Sequence, residues 1–149
     1  VSILAMTAKI CILSLTLQTM DTIFDPLRKI DVARTPEEEV RQSVISWLNA
    51  EKGIPLVMMA SEYAFHFNSM TYRADIVVFG RDARPLMLVE CKAPSVRLDR
   101  KVIEQGVRYN RVLNVRYMLF TNGVNMYFCE RTGDGPEYRF LSDIPDIVI

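Results

Sequence analysis

The chain has 149 residues, half of them hydrophobic, with 18 Lys and Arg balanced by 18 Asp and Glu. That is enough for one domain with its own core, and the composition excludes disordered and fibrous classes. Zero formal charge neither demands nor excludes nucleic acid, because a neutral protein can carry a basic face.

Cys11, Cys91 and Cys129 are odd in number and scattered. They offer neither metal-cluster spacing nor a disulfide framework, so a reducing cytoplasm is expected. No apolar run reaches the length of a membrane span. The apolar stretch Val1 to Leu17 lacks a basic start and a small-residue cleavage site, and Lys9 interrupts it. Residues 1–19 are therefore expected to be an N-terminal extension or an outer strand (Ile10 to Leu17), and residues 20–149 a single domain.

Asp25-Pro26 marks a turn, with a short return strand expected at Lys29 to Val32. Thr35-Pro36-Glu37-Glu38 starts a helix: Thr35 as N-cap, Pro36 in the first turn and Glu38 closing a capping box. Val40, Val44, Trp47 and Leu48 then form an apolar stripe. Glu37 shares it by spacing, whereas Glu38 and Glu39 are expected to point away. A first-turn carboxylate also favours the helix dipole, so Glu37 has a structural reading beside a site reading. Gly53-Ile54-Pro55 ends the helix. A strand is expected from Leu56 to Asn68, with Tyr63, Phe65 and Phe67 on one face and Glu62 and His66 on the other. His66 is the only histidine, which removes the main residue of histidine-dependent hydrolases.

Tyr72 to Phe79 and Leu86 to Cys91 read as two strands joined by a turn over Gly80 to Pro85. A turn symmetric about Asp82 and Ala83 sets Phe79 against Leu86, Val77 against Leu88, and Asp75 against Glu90. Opposed side chains lie about 4.5–5.5 Å apart at Cβ, where like charges repel. Two carboxylates so placed among apolar residues need a proton or a cation between them. Lys92, two residues after Glu90, shares its face. Solvent-facing charges at a strand end are the plainer reading, but Leu86 to Val89 is apolar on both faces, as in a covered central strand.

After Pro94 a helix is expected from about Leu98 to Leu113, with Val102, Gln105, Tyr109 and Leu113 on one face. Arg97, Arg100, Lys101, Arg108 and Arg111 surround it and are the natural phosphate contacts, with a solvated helix face as the competing reading. Tyr117 to Thr121 and Val124 to Glu130 read as strands about Asn122-Gly123. The tail from Thr132 reads as a loop and a covering segment.

Asp75 with Glu90-Cys91-Lys92 resembles the PD-(D/E)xK nuclease signature. The longer set of TPEEEVRQ (Thr35 to Gln42), RADIVV (Arg73 to Val78), PLMLVECKAPSV (Pro85 to Val96) and TNG (Thr121 to Gly123) is similar to the N-terminal nuclease domain of type I restriction enzyme R subunits, in a stand-alone bacterial form.

The resemblance implies an α/β fold, a restriction-endonuclease-like core in which a central mixed β-sheet is flanked by helices. It implies a metal-dependent DNA endonuclease. Asp75, Glu90, the Cys91 backbone carbonyl and Glu37 would hold Mg²⁺ or Mn²⁺. Lys92 would orient the attacking water, and Gln105 and Tyr109, which resemble a QxxxY motif, would position the reacting groups. Ala74 before Asp75, and Glu39 where relatives often carry an aromatic, depart from the pattern. These 149 residues hold no G-x-x-x-x-G-K-[ST] loop and no helix-turn-helix or zinc finger. DNA is the expected partner, with targeting left to a restriction-system subunit or to DNA structure. The alternative is a non-catalytic nucleic-acid-binding or assembly module that keeps the fold.

Overall fold

The computed structural model describes residues 21–147 apart from positions 136 and 143 and the side chain of Tyr109. The outer strand expected at Ile10 to Leu17 lies outside the described residues. A hairpin of β1 (Thr22–Asp25) and β2 (Ile30–Ala33) leads into helix α1 (Pro36–Ala50). A 3₁₀ turn at Leu56–Met58 precedes β3 (Met59–Phe67), β4 (Met70–Phe79) and β5 (Pro85–Cys91). Helix α2 (Arg100–Leu113) then crosses to β6 (Tyr117–Thr121), followed by β7 (Met126–Arg131) and β8 (Tyr138–Leu141). Strands β3 to β8 form one sheet in sequence order, antiparallel except where β5 and β6 run parallel. A parallel pair needs a long crossover, and α2 is that crossover. This mixed six-stranded sheet with a helix on each face has the expected order of helix, strand, hairpin, helix and strand. Among the described residues no helix is long and apolar enough to cross a membrane.

Alternation along the central strands divides the core in two. Ile76, Val78, Met87, Val89 and Leu119 meet Val40, Val44, Ile45 and Leu48 of α1. Val77, Leu88, Met118 and Phe120 face the other way, packed by Val102, Ile103 and Val107 of α2. Helix α1 starts as its sequence demands: Thr35 accepts the Glu38 amide N–H at 3.1 Å and Pro36 stands in the first turn. Only this half of the capping box forms, because the Glu38 carboxylate turns to Arg41 and Gln42. The expectation that Glu38 points away is thus corrected; it is buried.

Several boundaries differ from the sequence pattern for local reasons. Val77 does oppose Leu88, but the register shifts between Val78 and Phe79, so Phe79 opposes Pro85 rather than Leu86. Ala83, at φ 60°, and the Asp82 carboxylate accepting the Arg84 N–H shape that turn. The tail adds β8 to the sheet through Phe128 to Arg131 and is more than a covering loop. The α2 stripe is rotated from the expected one: Gly106 and Asn110 are buried while Gln105 is exposed. Asn110 can sit inside because its amide accepts the Val115 N–H at 2.7 Å and donates to the Val115 carbonyl at 3.2 Å.

Asp25 anchors the β1–β2 hairpin to the main sheet. Fully buried, it accepts from Ser61 Oγ at 2.7 Å, Arg28 Nε at 2.5 Å and the Leu27 N–H at 2.8 Å. Burial raises its pKa, but the Ser61 hydroxyl and the Arg28 and Leu27 donors outweigh that and leave it lowered.

Gly106 sets how closely α2 approaches the sheet. A Cβ there would lie 2.3 Å from Cε1 and 2.6 Å from Cζ of the fully buried Phe120. Alanine is the better helix former by roughly 0.5–1 kcal/mol. Gly106→Ala should nevertheless destabilise the protein by about 1–3 kcal/mol through overpacking. Urea unfolding checks this, and a more stable variant would show that α2 does not pack as described.

Candidate active site

The acids gather where the β4–β5 pairing stops, beside the first turns of α1. Ala74 and Ile76, which strict alternation would put on one face, lie in opposite cores, as do Tyr63 and Met59 of β3. The strand pair therefore reverses its faces at the level of Glu62 and Asp75. Glu62 takes φ 52° there, a left-handed conformation that costs a non-glycine residue about 1–3 kcal/mol. The Ser61–Ile76 and Tyr63–Ala74 pairs continue on either side of this break.

Asp75 is held on both oxygens. Its Oδ2 accepts the Cys91 N–H at 2.7 Å, and its Oδ1 accepts Arg41 Nη2 at 2.6 Å. The β4–β5 register, with Ile76 opposite Val89, sets Asp75 level with Glu90 when continued by one residue. Both acids are buried, and Glu90 Oε1 has no hydrogen-bond partner among the described residues. Burial, then the negative charge of Asp75, raises the Glu90 pKa to about 8; Lys92 lowers it and Glu37 raises it further. Asp75, Glu90, Lys92 and Glu37 are thus one electrostatic group.

The Lys92 backbone is pinned by its N–H bond to the Thr121 carbonyl at 2.9 Å. The segment after it is tied by Asn122 Nδ2 to the Val96 carbonyl at 2.9 Å. Asn122 also accepts the Val124 and Asn125 N–H groups, closing the β6–β7 turn. Gly123, at φ 81°, lets that turn rest 3.1 Å from Val40 of α1, measured from a would-be Cβ. The TNG and PSV runs therefore build the frame of the site.

Other expected residues stand differently. Glu37 is half-buried in the first turn of α1, and Gln105 is exposed on α2. The side chain of Tyr109 lies outside the described residues. Arg97, Arg100, Lys101, Arg108 and Arg111 are all exposed, and Arg100 pairs with Glu104 at 2.6 Å. His66 is exposed beside Thr71. Sequence reasoning left Arg41 and Glu62 without a role, although Arg41 touches Asp75 and Glu62 joins the group through Arg41. The only signal for Arg41 was its place in the TPEEEVRQ run.

Among the described residues no three His, Cys, Asp or Glu side chains are spaced to hold a metal ion between them. What the site offers is a pair of carboxylates, one with a buried, unpartnered oxygen, beside the last backbone groups of β5. Hard oxygen donors of this kind fit Mg²⁺ or Mn²⁺, ions that keep several waters in their shell. An apolar groove of about 770 Å³ between the start of α2 and the β7–β8 edge is lined by none of these acids.

The family model described as the type I restriction enzyme R protein N terminus matches residues 36–145. A solved structure from Anabaena variabilis ATCC 29413, described as a candidate nuclease belonging to DUF820, superposes with a TM-score of 0.48 at 10% identity. The match covers 87% of this chain and 82% of that one. No curated protein matches in sequence.

The Glu90 proton has a measurable consequence. In the unfolded chain this carboxyl titrates near 4.5, and in the folded one at about 8, so the folded state holds the proton more tightly. Its stabilising contribution is full below about pH 4.5 and is lost as pH rises through about 8. That loss should reach about 2–5 kcal/mol. Glu90→Gln should flatten the dependence and leave the metal-free protein more stable in alkaline solution. Urea unfolding of both proteins across this range tests it; parallel pH profiles would mean that Glu90 is ionised when folded.

Proposed function

The chain belongs to the family of type I restriction enzyme R protein N termini, and from that premise we propose that it is a metal-dependent DNA endonuclease. The observation that carries this reading is the buried Asp75–Glu90 pair with Lys92 beside it: two acids that cannot both ionise without a cation, next to a cationic side chain. Bound Mg²⁺ or Mn²⁺ would supply Lewis acidity towards the phosphate and make a water more acidic.

Asp75 and Glu90 hold the cation, with the Cys91 carbonyl and Glu37 at its margin. Lys92 orients the attacking water through its ammonium donors and stabilises charge developing on the phosphate. Its fixed backbone lowers the cost of holding that position. The exposed Arg97, Arg100, Lys101, Arg108 and Arg111 grip phosphates along the strand, which attracts DNA without reading its sequence. Gln105, exposed on the same helix, and Tyr109 take part in placing the substrate. Recognition of a particular DNA belongs to a partner subunit or to DNA structure.

Lys92→Ala should leave Mn²⁺ and DNA binding nearly intact while lowering plasmid cleavage by about 100-fold or more. Glu90→Ala should lose Mn²⁺ binding and cleavage together. Cleavage by Lys92→Ala at the wild-type rate would remove the lysine from the chemistry, and absence of any cleavage by the wild type with Mg²⁺ or Mn²⁺ would favour a binding module.

Reversing Arg108 and Arg111 to Glu should weaken DNA binding and reduce the slope of log affinity against log salt by about 2. An unchanged slope would place the DNA on another face.

A further inference from the structure

Three carboxylates from three elements converge on one cation. Arg41 of α1 is 5% exposed. Its Nη1 donates to Glu38 at 2.6 Å, and its Nη2 donates to Asp75 at 2.6 Å and lies 2.8 Å from Glu62. Its Nε is buried and has no partner among the described residues. Arg28 reaches Glu38 only at 3.6 Å, and the exposed Arg73 reaches Glu62 at 3.5 Å. Arg41 is therefore the close counter-charge for acids on α1, β3 and β4 at once, and it occupies one of the two oxygens of Asp75.

We propose that Arg41 is the resident counter-cation of the acidic site, a positioning residue that holds Asp75 by Oδ1 and competes electrostatically with an incoming divalent cation. This deepens the nuclease reading and rests on it for the identity of the ligand. With Arg41 in place, Asp75 offers a divalent ion only Oδ2, which also accepts the Cys91 N–H, and the ion must approach a fixed positive charge. Without Arg41, the buried Glu38 and Asp75 and the half-buried Glu62 lose their shared close counter-charge and draw a cation in more strongly. Arg41 and the metal should therefore oppose each other in binding while each stabilises the fold. A salt bridge with only a structural role would lower stability on removal but would not tighten metal binding.

The test is a Mn²⁺ titration of the full chain, read by the electron paramagnetic resonance of free Mn²⁺ and by the gain in melting temperature, for wild type, Arg41→Gln and Arg41→Lys. Arg41→Gln should melt lower than wild type without metal and bind Mn²⁺ roughly tenfold more tightly or better, with a correspondingly larger thermal gain. Arg41→Lys should fall between the two. If wild type binds Mn²⁺ and folded Arg41→Gln binds it equally or more weakly, the counter-cation proposal is overturned and the nuclease reading stands. If only Arg41→Gln binds, the proposal is supported and metal dependence of the wild type falls. Binding by neither protein overturns both. Should Arg41→Gln fold only with Mn²⁺, the proposal is supported. Should it not fold at all, Arg41→Lys decides, and affinity equal to or below wild type overturns the proposal.

Discussion

Carboxylates that are close together and out of water must be compensated, and the described part of this protein is arranged around that requirement. Asp75 lies midway along β4 and Glu90 near the end of β5, just past their last paired residues, and Glu38 and Glu62 are linked to Asp75 through Arg41. The compensation comes in several forms: the Arg41 guanidinium, the Cys91 N–H, the Lys92 ammonium, and a proton that Glu90 keeps up to about pH 8. These contacts draw several elements to the site. Arg41 brings in α1, Glu62 brings in β3 through a left-handed backbone, and Lys92 draws on the end of β6.

The frame around the acids is correspondingly rigid. Helix α1 packs on one face of the sheet through Val40, Val44, Ile45 and Leu48, which fixes where Arg41 can reach. The β6–β7 turn rests against Val40 and holds the segment after Lys92 through Asn122. On the opposite face, Gly106 lets α2 lie directly on Phe120. That close approach leaves the outer side of α2 exposed, and its basic residues are presented there.

Charge is thus segregated within a chain of zero formal charge. The acids are buried at the end of the sheet and the arginines of α2 are solvated. Exposed ion pairs such as Arg100–Glu104 add little to stability. The buried network around Arg41 is different, because breaking it strands charges where water cannot reach them.

How far the sequence alone reached follows from the range of the forces involved. Short-range rules determined the Thr35 start of α1, the span of β6, the Val77–Leu88 pairing and the juxtaposition of Asp75 with Glu90, since each depends on capping or on alternation over a few residues. Only tertiary structure decided that Glu38 turns inward, because its partner Arg41 is held in place by Asp75, 34 residues further along the chain. The reversal of faces at Glu62 and Asp75 breaks the period of two on which strand reading relies. The rotation of α2 that buries Gly106 and Asn110 and exposes Gln105 was decided by the fit to Phe120 and the bonds to Val115. Local periodicity has no access to such contacts, because they exist only once distant segments have packed.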